Sequence, residues 1–105
     1  MTHYRAVVHY NFKKGMEEKG IKFLENELIK NAQKYGCHYI ELMQNEKDHS
    51  HLIGIATWTS LDDARRFQSL WKEKEKEFLQ YCTGSPEREF CKVRSNYMEK
   101  SRRAA

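Results

Sequence analysis

The run His51-Leu52-Ile53-Gly54-Ile55-Ala56-Thr57-Trp58 is the most strand-like stretch of the chain, and it is apolar on both parities. Successive side chains of a strand point to opposite faces of its sheet, so Leu52, Ala56 and Trp58 serve one face while Ile53 and Ile55 serve the other. The stretch from Tyr4 to Phe12 behaves alike. There Tyr4, Ala6, Val8, Tyr10 and Phe12 share a parity, and Val7 stands on the other beside Arg5, His9 and Asn11. A sheet built from such strands needs cover on both faces. Helices of the same chain supply one layer, and a second copy packed face to face supplies the other.

The helices are legible between the strands. Lys13-Lys14-Gly15 ends the first strand, Glu17 and Glu18 place acids in a first helical turn, and Ile21, Leu24, Leu28, Ala32 and Tyr35 recur at helical spacing. Gly36 follows as a C-cap. Cys37 to Met43 reads as a second strand, with Ile40 and Leu42 opposed to Tyr39 and Met43. A polar connector from Gln44 to Ser50 joins it to His51–Trp58 as a hairpin. Thr59 or Ser60 caps a second helix whose apolar positions are Leu61, Ala64, Phe67, Trp71, Phe78 and Leu79, running to about Tyr81. After the breaker Thr83-Gly84-Ser85-Pro86, Glu89 to Tyr97 alternates as a last strand, with Cys91, Val93 and Tyr97 opposite Phe90, Lys92 and Arg94. The order strand, helix, strand, strand, helix, strand predicts an α+β, ferredoxin-like βαββαβ fold with a four-stranded antiparallel sheet. Residues 1–98 are expected to form the single domain, and 99–105 a basic, disordered C-terminal tail.

With 105 residues, folding buries about two thirds of the chain's surface, which supports one core and no second domain. The net charge of +4 owes part of its excess to Lys100, Arg102 and Arg103, and Lys72-Glu73-Lys74-Glu75-Lys76-Glu77 alternates in sign. A nucleic-acid footprint clusters its cations on one face, so this pattern argues against nucleic acid as a partner. Cys37, Cys82 and Cys91 are odd in number and lack CxxC spacing, which predicts free thiols and a cytoplasmic setting. No segment approaches the ~20 apolar residues that span a bilayer, so no membrane partner is expected.

The stretch Tyr4–Phe12 with its Lys-Lys-Gly end, and Ile53-Gly54-Ile55-Ala56-Thr57-Trp58-Thr59-Ser60 running into Leu61-Asp62-Asp63-Ala64, resemble the antibiotic biosynthesis monooxygenase superfamily of dimeric α+β barrels. The resemblance covers about Tyr4 to Tyr97 and rests on strand ends and caps. It implies a homodimer, a cavity between helices and sheet, and oxygenation of small aromatic or apolar molecules with no cofactor, neither metal nor flavin. The alternative is a non-catalytic ligand-binding or assembly module on the same fold. The haem-degrading branch carries an Asn on the first strand and a Trp and a His on the second helix. Here those positions hold Val8, Phe67 or Gln68, and Glu77 or Phe78, so haem cleavage is disfavoured.

Tyr10, Tyr39, Trp58, Phe67 and Trp71 are the large aromatics expected to meet between sheet and helices, as an aromatic core or as the wall of a pocket for a flat substrate. Asn11 and His38 join Tyr10, Trp58, Phe67 and Trp71 as candidate substrate-binding residues, because stabilising a substrate carbanion or radical calls for a few polar groups beside an apolar cavity. His9 and Asn11 on one side of the first strand also read as a polar cross-strand or interface pair. Asp48-His49-Ser50-His51 with His38 suggests a metal site at first sight. A third and fourth ligand are not evident, and a polar hairpin tip accounts for the pattern. No Ser-His-Asp set, phosphate loop or paired carboxylates appear.

Overall fold

The computed structural model of the chain describes residues 3–97. Strand β1 is Tyr4–Asn11, β2 is Cys37–Gln44, β3 is His51–Trp58 and β4 is Glu87–Lys92. Helix α1 spans 17–34, as an α-helical Glu17–Phe23, a π-helical Leu24–Ile29 and an α-helical Lys30–Lys34. Helix α2 is Leu61–Phe78, followed by a 3-10 turn Leu79–Tyr81. The four strands form one antiparallel sheet in the order β2-β3-β1-β4, the ferredoxin-like arrangement. The expected tail at 99–105 lies outside the described residues.

Alternation along β1 sends Ala6, Val8 and Tyr10, all buried, toward the helices, and Phe12 just beyond the strand continues the row. On β3 the same side carries Leu52, Gly54 and Trp58. The helices cover this face with Leu24 and Ala32 from α1 and Ala64, Phe67, Trp71 and Phe78 from α2. Ser60 starts α2 by accepting a hydrogen bond from the Asp63 amide at 3.2 Å, which satisfies one of the free first-turn donors. The opposite face of the sheet carries Val7, Ile53 and Ile55 at its middle, in register across β1 and β3, with Met43 exposed on β2; Tyr39, expected between sheet and helices, is exposed as well, because it pairs with Thr57 beyond the β2 bulge.

Three features depart from the sequence pattern, each for a local reason. Leu24, Leu28 and Ala32 are spaced by four residues, and in a pure α-helix each such step drifts about 40° around the axis. The wider π turn at Leu24–Ile29 removes drift and keeps the three on the buried side, while the Asn31 amide donates to the Glu27 carbonyl at 2.6 Å. On β2, Cys37 pairs with Trp58 and Tyr39 with Thr57, so His38 is the extra residue of a bulge. The bulge lets Cys37 and Ile40 both pack toward the helices despite opposite parity. Finally, β4 starts at Glu87 and ends at Lys92 where a strand from Glu89 to Tyr97 is expected. As an edge strand it pairs with β1 alone, from His9↔Glu87 to Tyr4↔Lys92, and past it the Val93 amide donates to the His3 carbonyl at 2.9 Å.

Candidate functional site

Between α2, the second half of α1 and the helix-facing side of the sheet lies a narrow cleft with room for about 50 Å³ of solvent. It exists because small residues stand where large ones would fill it. Ala6, Gly54 and Ala56 line it from the sheet and Ala32 and Ala64 from the helices. Around this hollow stand Tyr10, Trp58, Phe67 and Trp71, with Val8, Leu28, Ile40, Leu42 and Phe90 adding to the apolar lining. The run of Ala and Gly at helix-facing positions is the signal in the sequence that marks the hollow, and a reading centred on large aromatics passes over it.

Four of the six sequence-predicted residues therefore meet at one place. Trp58 and Phe67 pack with ring centroids 5.7 Å apart, and Trp71 packs against Phe78 at 6.2 Å. The other two stand elsewhere. Asn11 is exposed, at the β1 parity that points away from the helices, and its carbonyl accepts from the Thr83 amide at 2.8 Å. His38, displaced by the β2 bulge, is exposed and lies 3.1 Å from the Thr59 hydroxyl. Neither lines the cleft.

The polar groups at the cleft come from residues that pattern reading did not single out, except Tyr10. Arg88 of β4 faces the helices, and its Nη2 donates to Glu75 Oε2 at 2.9 Å. The same oxygen accepts from Trp71 Nε1 at 3.0 Å. Glu75 thus fixes an aromatic wall and a cation at once and neutralises the cation. Gln68 is half-buried at the lining. Burial pushes the Tyr10 phenol well above its ordinary value, against a smaller opposing effect of the Arg88 charge, so it stays a neutral hydroxyl.

His9 Nδ1 and His51 Nε2 lie 3.1 Å apart on the opposite, open face of the sheet, with their rings stacked. Among the described residues no group of three or more His, Cys, Asp or Glu side chains is placed to hold a metal ion. Cys37 and Cys82 are buried, Cys91 is exposed, and all three are free. No helix among the described residues is long and apolar enough to cross a membrane.

The sequence matches no family model and no curated protein. Solved structures match over nearly the whole chain. The fold is that of the antibiotic biosynthesis monooxygenases. SnoaB of Streptomyces nogalater, a cofactor-independent oxygenase, superposes with a TM-score of 0.74 at 14% identity, over 92% of this chain and 98% of that one. A monooxygenase of Streptomyces coelicolor in complex with nanaomycin D gives 0.75 at 15% identity, over 90% of both chains. A dimeric ferredoxin-like protein from an uncultured marine organism gives 0.73 at 10% identity, over 92% of each chain. At such identities the likeness is one of fold.

Proposed function

We propose that this protein is a homodimer whose cleft binds a small, flat, apolar aromatic molecule and oxygenates it with dioxygen alone. The observation that carries the reading is the cleft itself. It is walled by Trp58, Phe67 and Trp71 and floored by Ala6, Gly54 and Ala56, a shape and chemistry suited to a planar ring system. The likeness to SnoaB and to the nanaomycin-bound monooxygenase supports the choice of chemistry. In cofactor-free oxygenation the substrate supplies the electrons. An activated CH2 becomes a carbonyl as dioxygen takes up four electrons, one oxygen atom entering the product and the other leaving as water. The protein's part is to hold the ring, exclude water and stabilise the anion or radical formed on it. The open sheet face with Val7, Ile53 and Ile55 supports the dimer.

A second reading, a binding module without turnover, is favoured by the polar lining. Tyr10, Gln68 and Arg88 supply the polar groups of the cleft, and among the described residues no carboxylate or imidazole lines it as a base. Oxygen uptake with anthrone and a panel of quinols separates the two. Saturable uptake with one dioxygen consumed per product carbonyl supports the oxygenase. Saturable binding of the same compounds with no uptake supports the module.

A further inference from the structure

We infer that the open sheet face carries a proton-operated release: His9 and His51 share a proton while a second copy of the chain covers that face, and full protonation of both rings parts them and frees the copy. This rests on the homodimer proposed above and adds its regulation. His9 lies opposite Ile53 across β1 and β3, and Val7 lies opposite Ile55, so the pair adjoins the apolar middle of the face. Both imidazoles are partly buried in the single chain. His9 Nδ1 and His51 Nε2 are 3.1 Å apart, and the near-parallel rings, 22° from one another, have centroids 5.4 Å apart. That separation equals the nitrogen distance with a ring radius added at either end, so the two nitrogens point toward each other. Lone pairs that face in line do not converge on a metal ion. They call for a hydrogen bond in which one nitrogen carries a proton and the other accepts it.

The number of bound protons then decides whether the pair holds. The first added proton goes to the outward nitrogen of the donating ring and leaves the bond in place, now charge-assisted. The next has only the accepting nitrogen to go to, which sets two N–H groups and two positive charges against each other at 3.1 Å. Glu87 stands at the register position of His9 on β4, Glu89 at that of Val7, and Glu41 on β2 at that of Ile55; Arg5, Cys91 and Tyr39 stand at the far end of the face. From the connector before β3 come His49 and Asp48, whose carboxyl is held below its usual range by its Ser50 hydrogen bonds first and by the His51 and His49 charges last. Among the described residues no ion pair joins any of these carboxylates to either imidazole. The doubly charged pair therefore depends on water, and a covering copy removes that water. The single chain binds the extra proton more readily than the dimer does, so acid favours the single chain.

The test follows the dimer dissociation constant by analytical ultracentrifugation from about pH 8 to about pH 5, the range in which imidazoles ordinarily titrate. The constant is expected to rise as pH falls, by about tenfold or more over the range, while the monomer at the acid end keeps its far-UV dichroism. His9→Gln combined with His51→Gln is expected to flatten the profile, and His49→Gln, on the exposed connector, to keep it. A dimer whose constant stays flat across the range, or a profile that survives in the double variant, overturns the release and leaves the dimer standing. A monomer already at the alkaline end overturns the dimer itself, and the release with it. Nitrogen NMR spectra of the imidazoles give a readout in the unaltered protein, independent of how the double variant folds. One protonated and one bare nitrogen are expected between the rings in the dimer, and two protonated ones in the acid monomer. A pair that still shares a single proton in that monomer overturns the release.

Discussion

The indole Nε1 of Trp71 donates to Oε2 of Glu75 at 3.0 Å, one helical turn along α2. Because Arg88 Nη2 reaches the same oxygen at 2.9 Å, the wall of the cleft and its edge strand are tied through one carboxylate. Glu75→Gln keeps an acceptor for the indole but leaves a largely buried guanidinium without its counter-charge. The expected loss is about 2–3 kcal/mol in urea denaturation. Glu75→Gln combined with Arg88→Met removes both charges and is expected to recover most of it. A double variant no more stable than the single would show that the pair does not act through charge.

Gly20 is the point where α1 touches the sheet. A Cβ there would stand 2.3 Å from Phe12 Cε1 and 2.7 Å from Cδ1, and Phe12 is itself pinned edge-on by Phe78 at 5.9 Å. Gly20→Ala gains helix propensity yet must push the ring or the helix away. The net expectation is a loss of about 1–3 kcal/mol. Gly84→Ala, with nothing within 4 Å of the added methyl, is the control and is expected to change stability little. Thermal melts of the two variants check the contrast, and equal melting temperatures would refute it.

The sheet and both helices were legible because burial imposes a period of two on Tyr4–Phe12 and of three to four on the helices. The weak alternation of Cys37–Met43 was not noise: one extra residue, His38, switches the phase of β2. Arg88 was illegible for a different reason. Its side chain occupies a helix-facing position that pattern assigns to apolar residues, and its partner Glu75 lies 13 residues away on another element. Neither parity nor local spacing carries that information. Asn11 fails as a cleft residue on parity alone, since β1 turns its even positions toward the helices. The hollow was hidden because it is made by what Gly54, Ala56 and Ala6 lack.

Val7, Ile53 and Ile55 form the middle of the open sheet face, flanked by His9, Glu41 and Glu89 at neighbouring register positions. Light scattering is expected to give about twice the 12.6 kDa of one chain at micromolar concentration. Ile53→Glu would bury a charge in the proposed interface, while the helix-facing core does not use the residue. The expectation is therefore a folded monomer, with far-UV dichroism retained and the scattering mass halved. An unchanged dimer in Ile53→Glu would place the interface on another surface.

Alkaline pH should weaken the fold through Cys82, whose thiol is buried at the end of α2 and is pushed up from 9.0 to about 11, by burial first and by the Glu75 charge second, against a smaller lowering by Lys13. A raised acid pKa means that the folded state holds the proton which the unfolded state releases. The contribution is thus complete below pH 9 and is lost as pH rises from 9 to 11. Across that window the loss is on the order of 2 kcal/mol, once the part of the thiolate's charge that water still screens is discounted. Tyr10 and Cys37, both raised by burial, add to the slope in the same direction. Cys82→Ala lowers stability at neutral pH through the lost packing, so the informative quantity is the slope. Urea midpoints followed between pH 9 and 11 are expected to fall less steeply in Cys82→Ala than in the wild-type protein. Parallel slopes would mean that the thiolate is solvated in the folded state, against the burial of Cys82 beneath Phe78 and the β1 end.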